Sequence, residues 1–326
     1  MLYRGGLWLV VGIVVSLAFL LSTQANTTDA IPTAPPLNTN STKTTNSIVA
    51  KGQYIAQAAG CSICHTDRKH KGKPFAGGRP LHTPFGTFYS PNITPDKSTG
   101  IGNWTEQDFT RALHQGVRPD GSHFYPVFPY TSYTKLTDDD VHALWAYLGS
   151  LTPVQQRNKS HDLKWYAPPR FVVWFWKLLY FTPGRYKENP QHSASWNRGA
   201  YLATAASHCD ECHTPRNILG AIKQNLLYAG ADVKAENFVA PNITPASKTG
   251  IGDWDNDDLV TYLQTGLDPD GDTAGSIMAE FIDQGFSHLR KEDLQSIAEF
   301  ISSLPPIEHS LRKKQNQAPR KKPEWE

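Results

Sequence analysis

Cysteine and methionine are the scarce residues of this chain, four and two among 326. Four cysteines are too few for a disulfide-stapled scaffold. Charge of one sign is lacking as well. A net charge of +2 gives no basis for bulk nucleic-acid binding, and no nucleic-acid partner is expected. The longest apolar run, residues 5–21, falls short of the ~20 residues that span a bilayer. Disorder is excluded for most of the chain by 39% hydrophobic against 19% charged residues. The length suits about two domains.

The few cysteines stand in two identical settings. One reads Cys61-Ser62-Ile63-Cys64-His65, the other Cys209-Asp210-Glu211-Cys212-His213. Both are C-x-x-C-H, the attachment signature of c-type haem. Two thiols about one helical turn apart can each form a thioether to a porphyrin vinyl group. The histidine that follows is then placed to ligate the iron. A thioredoxin-like pair needs no such histidine, and a zinc site would draw on a second pair nearby. Two covalently bound haem c groups are therefore expected. They use Cys61, Cys64, Cys209 and Cys212 for attachment, and His65 and His213 as proximal ligands.

Self-similarity extends beyond the motifs. PNITPDKSTGIGNW at 91–104 returns as PNITPASKTGIGDW at 241–254, 150 residues later. GVRPDG at 116–121 returns as GLDPDG at 266–271. The stretch 136–153 returns at 289–306. Short helices are expected before each motif, over Gly52–Gly60 and Gly199–Ser207. A further helix is expected over Trp104–Gly116. Thr137 reads as the N-cap of a terminal helix with acids in its first turn. Val141, Leu144, Trp145 and Leu148 form its apolar stripe, matched by Leu294, Ile297, Ala298 and Ile301 in the second copy. The expected class is mainly α, as two tandem class I cytochrome c-like domains with an N-terminal export or anchor segment.

The expected boundaries are a signal peptide or membrane anchor at 1–25 and a flexible linker at 26–48. Domain 1 follows at 49–155, an aromatic-rich connector at 156–195, domain 2 at 196–308 and a basic tail at 309–326. The apolar run 7–21 suits an export segment, either cleaved or kept as an anchor. Export places the chain in a bacterial periplasm, tethered to the cytoplasmic membrane or released. The connector holds FVVWFWKLLYF at 171–181. One reading makes it a helix buried between the two copies. The other makes it an aromatic surface resting on a membrane or a partner subunit. The tail carries +4, which suits solvent or, less directly, anionic lipid.

The distal ligands follow by subtraction. Only Met1 and Met278 exist, and Met1 belongs to the export segment. Met278 lies between the GLDPDG turn and the terminal helix and is assigned to the second haem, opposite His213. The same position in the first copy is Phe128, which cannot ligate iron. His123 is the first candidate for that site, an open or water-bound iron the next, and His114 the third. Asn92, Asn242, Trp104 and Trp254 suit either propionate binding or the shaping of the duplicated loop. Arg68, Arg79 and Arg216 suit propionate pairing or a surface role. Residues 51–80 carry +5 and residues 251–300 carry −10. Separate docking partners for the two haems are expected, with a solvated acidic face as the plainer reading.

The paired CxxCH modules, the doubled NITPxxxTGIGxW loop and the YPxxPYTSYxxLTDDD stretch resemble the cytochrome c subunit of membrane-bound bacterial alcohol and gluconate dehydrogenases. The resemblance covers about residues 48–306. It implies an electron carrier between a periplasmic or membrane-bound dehydrogenase and a downstream acceptor, which is a quinone, a cytochrome or an oxidase. Members commonly carry a third haem module, and two CxxCH motifs stand in this sequence. The leading reading is a non-catalytic electron-transfer protein or subunit. The alternative is a haem enzyme with an open first site, working on peroxide or another small ligand.

Overall fold

In the first copy, helix α1 (Thr39–Ala58) leads into the short helix α2 (Cys61–Cys64) that carries the first motif. The computed structural model describes residues 39–233 and 235–311. The export segment at 1–25 lies outside them, as do most of the linker and most of the basic tail. Residues 39–48, expected as linker, form the N-terminal half of α1, continuing the helix that buries Ile55, Ala56 and Ala58. A hairpin follows, of β1 (Pro80–Thr83) and β2 (Gly86–Tyr89), joined later by β3 (Asp162–Leu163) in the order β1-β2-β3.

Helix α3 (Glu106–Gln115) starts at a capping box of Thr105 and Asp108 and stops at Gly116, which takes a left-handed φ of 59°. A single turn, α4 (Tyr130–Tyr133), precedes α5 (Asp138–Ser150). Thr137 caps α5 as expected, accepting from the Asp140 amide. Val141, Leu144 and Leu148 are buried along one face.

After the connector helix α6 (Val172–Tyr180) the same order returns. Helix α7 (Ala194–Tyr201) runs into a π-helical turn over Leu202–Ala206, then α8 (Cys209–His213) carries the second motif. The hairpin of β4 (Ala231–Val233) and β5 (Phe238–Ala240) follows. Helices α9 (Asn256–Thr265), α10 (Ser276–Gln284) and α11 (Lys291–Ser302) complete it. The described residues are thus rich in helix, with small hairpins that hydrophobic periodicity did not announce.

In each copy the helix before the haem motif crosses the terminal helix at a glycine. A Cβ on Gly52 would lie 1.9 Å from the Ala143 carbonyl oxygen, and one on Gly199 would lie 1.8 Å from that of Ser296. Only a residue without a side chain permits so close a crossing. One continuous apolar core then joins residues of both copies, among them Ile63, Leu136 and Leu144 with Leu202, Phe281 and Leu294.

Two tyrosines tie the copies reciprocally. Tyr54 on α1 donates to Asp293 on α11, and Tyr201 on α7 donates to Asp140 on α5. Such exchange of equivalent contacts is the mark of an isologous interface, here within one chain. Arg198 donates to both Asp293 oxygens, at 2.8 and 3.0 Å, and Arg290 adds a third cationic donor at 2.9 Å. Burial raises the Asp293 carboxyl. Donation from Arg198, Tyr54 and Arg290 outweighs it and holds the group far below the usual carboxylate range. A carboxyl with a depressed folded pKa stabilises above its unfolded pKa and loses that stabilisation as pH falls. Asp293→Asn is therefore expected to cost about 3 kcal/mol at neutral pH. Denaturant melts should show the gap to the native chain closing below about pH 4, and a gap unchanged down to pH 2 would contradict the assignment.

The connector helix is not buried. Of the α6 residues, Val173 and Lys177 are the buried ones, while Trp174, Phe175, Leu178, Leu179 and Tyr180 are exposed, as is Phe171 at its N-cap. Lys177 Nζ donates to the carbonyls of Gln115 and Gly116, at 2.6 and 2.7 Å, and to His123 Nδ1 at 2.9 Å. Its three donors are satisfied inward, so the apolar stripe faces out.

Candidate functional site

Both cysteine pairs sit on one short helical turn, α2 and α8, entered through a left-handed residue. Gly60 has φ 60° and His208 has φ 41°. None of the four cysteines forms a disulfide, and each is partly exposed. Burial in apolar surroundings pushes the thiols of Cys61, Cys209 and Cys212 up to about 12. A dithiol redox pair needs an activated thiolate, so neutral thiols disfavour that reading.

The two histidines of the motifs are prepared alike. His65 Nδ1–H donates to the Pro91 carbonyl at 2.8 Å, and His213 Nδ1–H donates to the Pro241 carbonyl at 2.7 Å. The bond fixes ring orientation and tautomer and leaves Nε2 as the bare nitrogen that a metal takes. Burial also lowers the pKa of both rings, which keeps them neutral.

Around each histidine the hydrogen bonds repeat almost to the tenth of an ångström. Thr66 Oγ1 accepts from the Phe75 amide at 3.1 Å, and Thr214 Oγ1 from the Tyr228 amide at 3.0 Å. Asn92 Nδ2 reaches Thr99 at 3.1 Å and the Val154 carbonyl at 2.7 Å. Asn242 Nδ2 reaches Thr249 at 3.1 Å and the Ile307 carbonyl at 2.8 Å. Each asparagine Oδ1 accepts from the amide and hydroxyl of the threonine two residues on. The amides are consumed in closing the duplicated loop, which decides for the loop-shaping role of Asn92 and Asn242 over propionate binding.

A cavity of about 2220 Å³ opens beside the first motif. Cys61, Cys64 and His65 line it with apolar Ile101, Trp104, Leu113, Leu136 and Leu144, and Phe128 stands on its wall. Cys212 of the second pair reaches the same cavity, so both cysteines of the first motif and one of the second share it. Cys209, His213, Met278 and His123 are not on its wall. Paired thiols, a histidine with a bare Nε2 and an apolar chamber fit a c-type haem.

Arg68, Arg79 and Arg216 each have a protein partner, although Arg68 itself is exposed. Arg79 spans the copies with a bidentate pair to Glu280, one bond at 2.5 Å and the other at 3.0 Å. Arg68 donates to Gln284 Oε1 at 2.7 Å, and Arg216 pairs with Glu211. Phe281 packs where a Gly60 Cβ would stand, 2.4 Å away. Helix α10, which carries Met278, is thereby clamped to the first motif. Motif reading missed this, because Arg79 and Glu280 are 201 residues apart.

The candidate distal residues separate sharply. Met278 lies in the first turn of α10 and, like Cys209 on α8, is partly buried against the common core. Phe128 packs on Phe124 and Tyr133 at 5.1 and 5.7 Å between ring centres. His123 has a different partner from the one expected. Its Nδ1 accepts from the Lys177 ammonium, so the neutral ring carries its proton on Nε2 and presents a donor there rather than a lone pair. Burial, then the Lys177 charge, lowers its pKa and keeps it neutral. His114 is buried on α3, its Nε2–H given to the Leu136 carbonyl at 3.2 Å, and burial pushes its pKa down to about 4.

Comparison with known proteins agrees with this chemistry. Residues 49–152 match the family described as cytochrome c. The chain is 39% identical to a diheme cytochrome c-type protein of Cereibacter sphaeroides, over 79% of this chain and 86% of that one. It is 40% identical to the fructose dehydrogenase cytochrome subunit of Gluconobacter japonicus, over 79% of this chain and 52% of that one. It is 36% identical to the cytochrome c subunit of a quinone alcohol dehydrogenase of Gluconobacter oxydans, over 80% and 55%. The chain spans about half the length of these two dehydrogenase subunits. The chain belongs to the c-type cytochromes, and membership implies covalently bound haem c. The peroxidase-like reading finds no support among these relatives.

Proposed function

We propose that the chain is a dihaem electron carrier built from two tandem class I cytochrome c-like domains, at 49–155 and 196–308. Cys61, Cys64 and His65 hold one haem, and Cys209, Cys212, His213 and Met278 hold the other. The observation that carries the reading is the matched histidine geometry, two Nδ1–carbonyl bonds within 0.1 Å of each other inside duplicated hydrogen-bond shells. Bound haem supplies one-electron chemistry; the protein supplies fixed ligands and a dry surround, which together set potential and reorganisation. Phe128 and the Lys177-bound His123 favour a first haem without a protein ligand on its distal side. Cys64 and Cys212 share one cavity wall, which favours short passage between the haems.

The electron donor proposed is a dehydrogenase subunit, by likeness to the relatives, and the acceptor a quinone, a cytochrome or an oxidase. The place proposed is the bacterial periplasm, at the cytoplasmic membrane. The pyridine haemochrome assay, set against protein concentration, is the test. Two haems per chain are expected, falling to one in a Cys61→Ala, Cys64→Ala variant with the second haem's spectrum retained. One haem per native chain would overturn the dihaem reading.

A further inference from the structure

On the outward face of α6, Phe171, Trp174 and Leu178 stand clear of the cavity beside the first motif, while Phe175 and Leu179 are exposed and also line part of it. Phe171, Trp174, Phe175, Leu178 and Leu179 follow i, i+3, i+4, i+7 and i+8, a complete apolar stripe. All five are exposed, Phe171 by 70% and Leu179 by 71%. Trp165 on the preceding loop is 94% exposed and Ile218 on the loop after the second motif is 93% exposed. Trp176 Nε1 donates to the Leu219 carbonyl at 2.9 Å and joins that loop to the helix. Isolated exposed apolar residues are ordinary, but a contiguous patch of this kind marks an interaction site.

We propose that this face is a membrane-contact surface on which the chain lies flat against an anionic phospholipid bilayer. The helix runs over nine residues, too few to cross a bilayer, and suits one that rests in the headgroup region. The patch is rich in tryptophan and tyrosine, the residues favoured at that depth. Its charge is complementary to anionic lipid. Leaving aside the inward Lys177, residues 154–188 hold six bases and two acids, a balance of +4, against −10 for residues 251–300. Lys164 and Arg170 directly flank Trp165 and Phe171. Shape points the same way. Side chains more than nine-tenths exposed are spikes, which a fluid bilayer accepts anywhere and a protein partner accepts only with matching pockets. Lys177, bonded inward three times, makes the orientation a built feature. The inference holds whether the chain carries one haem or two.

The full haem-loaded chain, labelled with a nitroxide through Leu178→Cys, tests it with vesicles of phosphatidylcholine mixed with phosphatidylglycerol. Label depth is read from relaxation by oxygen against a water-soluble nickel chelate, so a separate N-terminal tether does not mimic the result. Vesicles are expected to shield the label from nickel and expose it to oxygen. In cosedimentation, Trp174→Glu with Leu178→Glu should lower binding at least about tenfold. Lys164→Gln should lower it about fivefold, and only with the anionic lipid. Haem absorption spectra of the variants confirm that they fold. A label equally open to nickel with and without vesicles overturns the proposal. So does shielding by a dehydrogenase subunit in lipid-free buffer with none by vesicles, which would make the patch a protein interface.

Discussion

Replacing Met278 with alanine is expected to remove the methionine–iron charge-transfer band from one haem and leave the other haem unchanged. The chain contains only two methionines, so no second thioether can take the place of Met278 except the initiator. Helix α10 holds Met278 by contacts made elsewhere along its length. Glu280 grips Arg79, Gln284 accepts from Arg68, and Phe281 fills the space beside Gly60. The alanine variant should therefore keep its fold and lose a ligand. Methionine opposite histidine raises haem potential. Its loss should lower one of two midpoints by on the order of 0.1 V or more, a fraction of the ~0.8 V that axial ligands command. Redox titration followed by absorption measures both quantities. A retained band, or two midpoints that move together, would count against Met278 as ligand.

The second large effect concerns stability. Gly199→Val should cost about 3 kcal/mol or more, because a Cβ there would stand 1.8 Å from the Ser296 carbonyl oxygen. The atom it meets is backbone, inside the crossing of α7 and α11, so no side chain can swing aside. Gly52→Val should act likewise through Ala143. Denaturant unfolding of the haem-loaded chain reads the effect. An exposed control such as Gly149→Ala, whose Cβ would meet nothing within 4 Å, should move the midpoint little. Equal midpoints for the crossing variants and the control would mean that the helices do not approach as described.

Much of the site was legible in local sequence. The haem signature needs five consecutive residues, and the repeat announces itself through PNITP at 91 and 241. The Thr137 cap and the Val141–Leu148 stripe depend on neighbours within two helical turns, and the structure contains both. The Asn92 and Asn242 amides stayed open between two roles because their partners, Val154 and Ile307, lie more than sixty residues on. His123 was the candidate that subtraction reached for. Composition lists which histidines exist but not which nitrogen carries the proton, and that was set by Lys177 on a different element. The connector was harder still. FVVWFWKLLYF announces an apolar helix, and apolar helices are usually buried. Here a single lysine reversed it, by finding three acceptors on the inner side.

By itself, then, the sequence determined the chemistry this protein can hold. The two CxxCH motifs, the duplicated loop and the count of methionines are written in residues near one another along the chain. Tertiary structure alone decided how those parts meet. The reciprocal Tyr54–Asp293 and Tyr201–Asp140 bonds, the Arg79–Glu280 clamp and the outward face of α6 join residues from about fifty to more than two hundred positions apart. The physical reason is that periodicity names the apolar face of a helix. What that face meets depends on the packing of all the others.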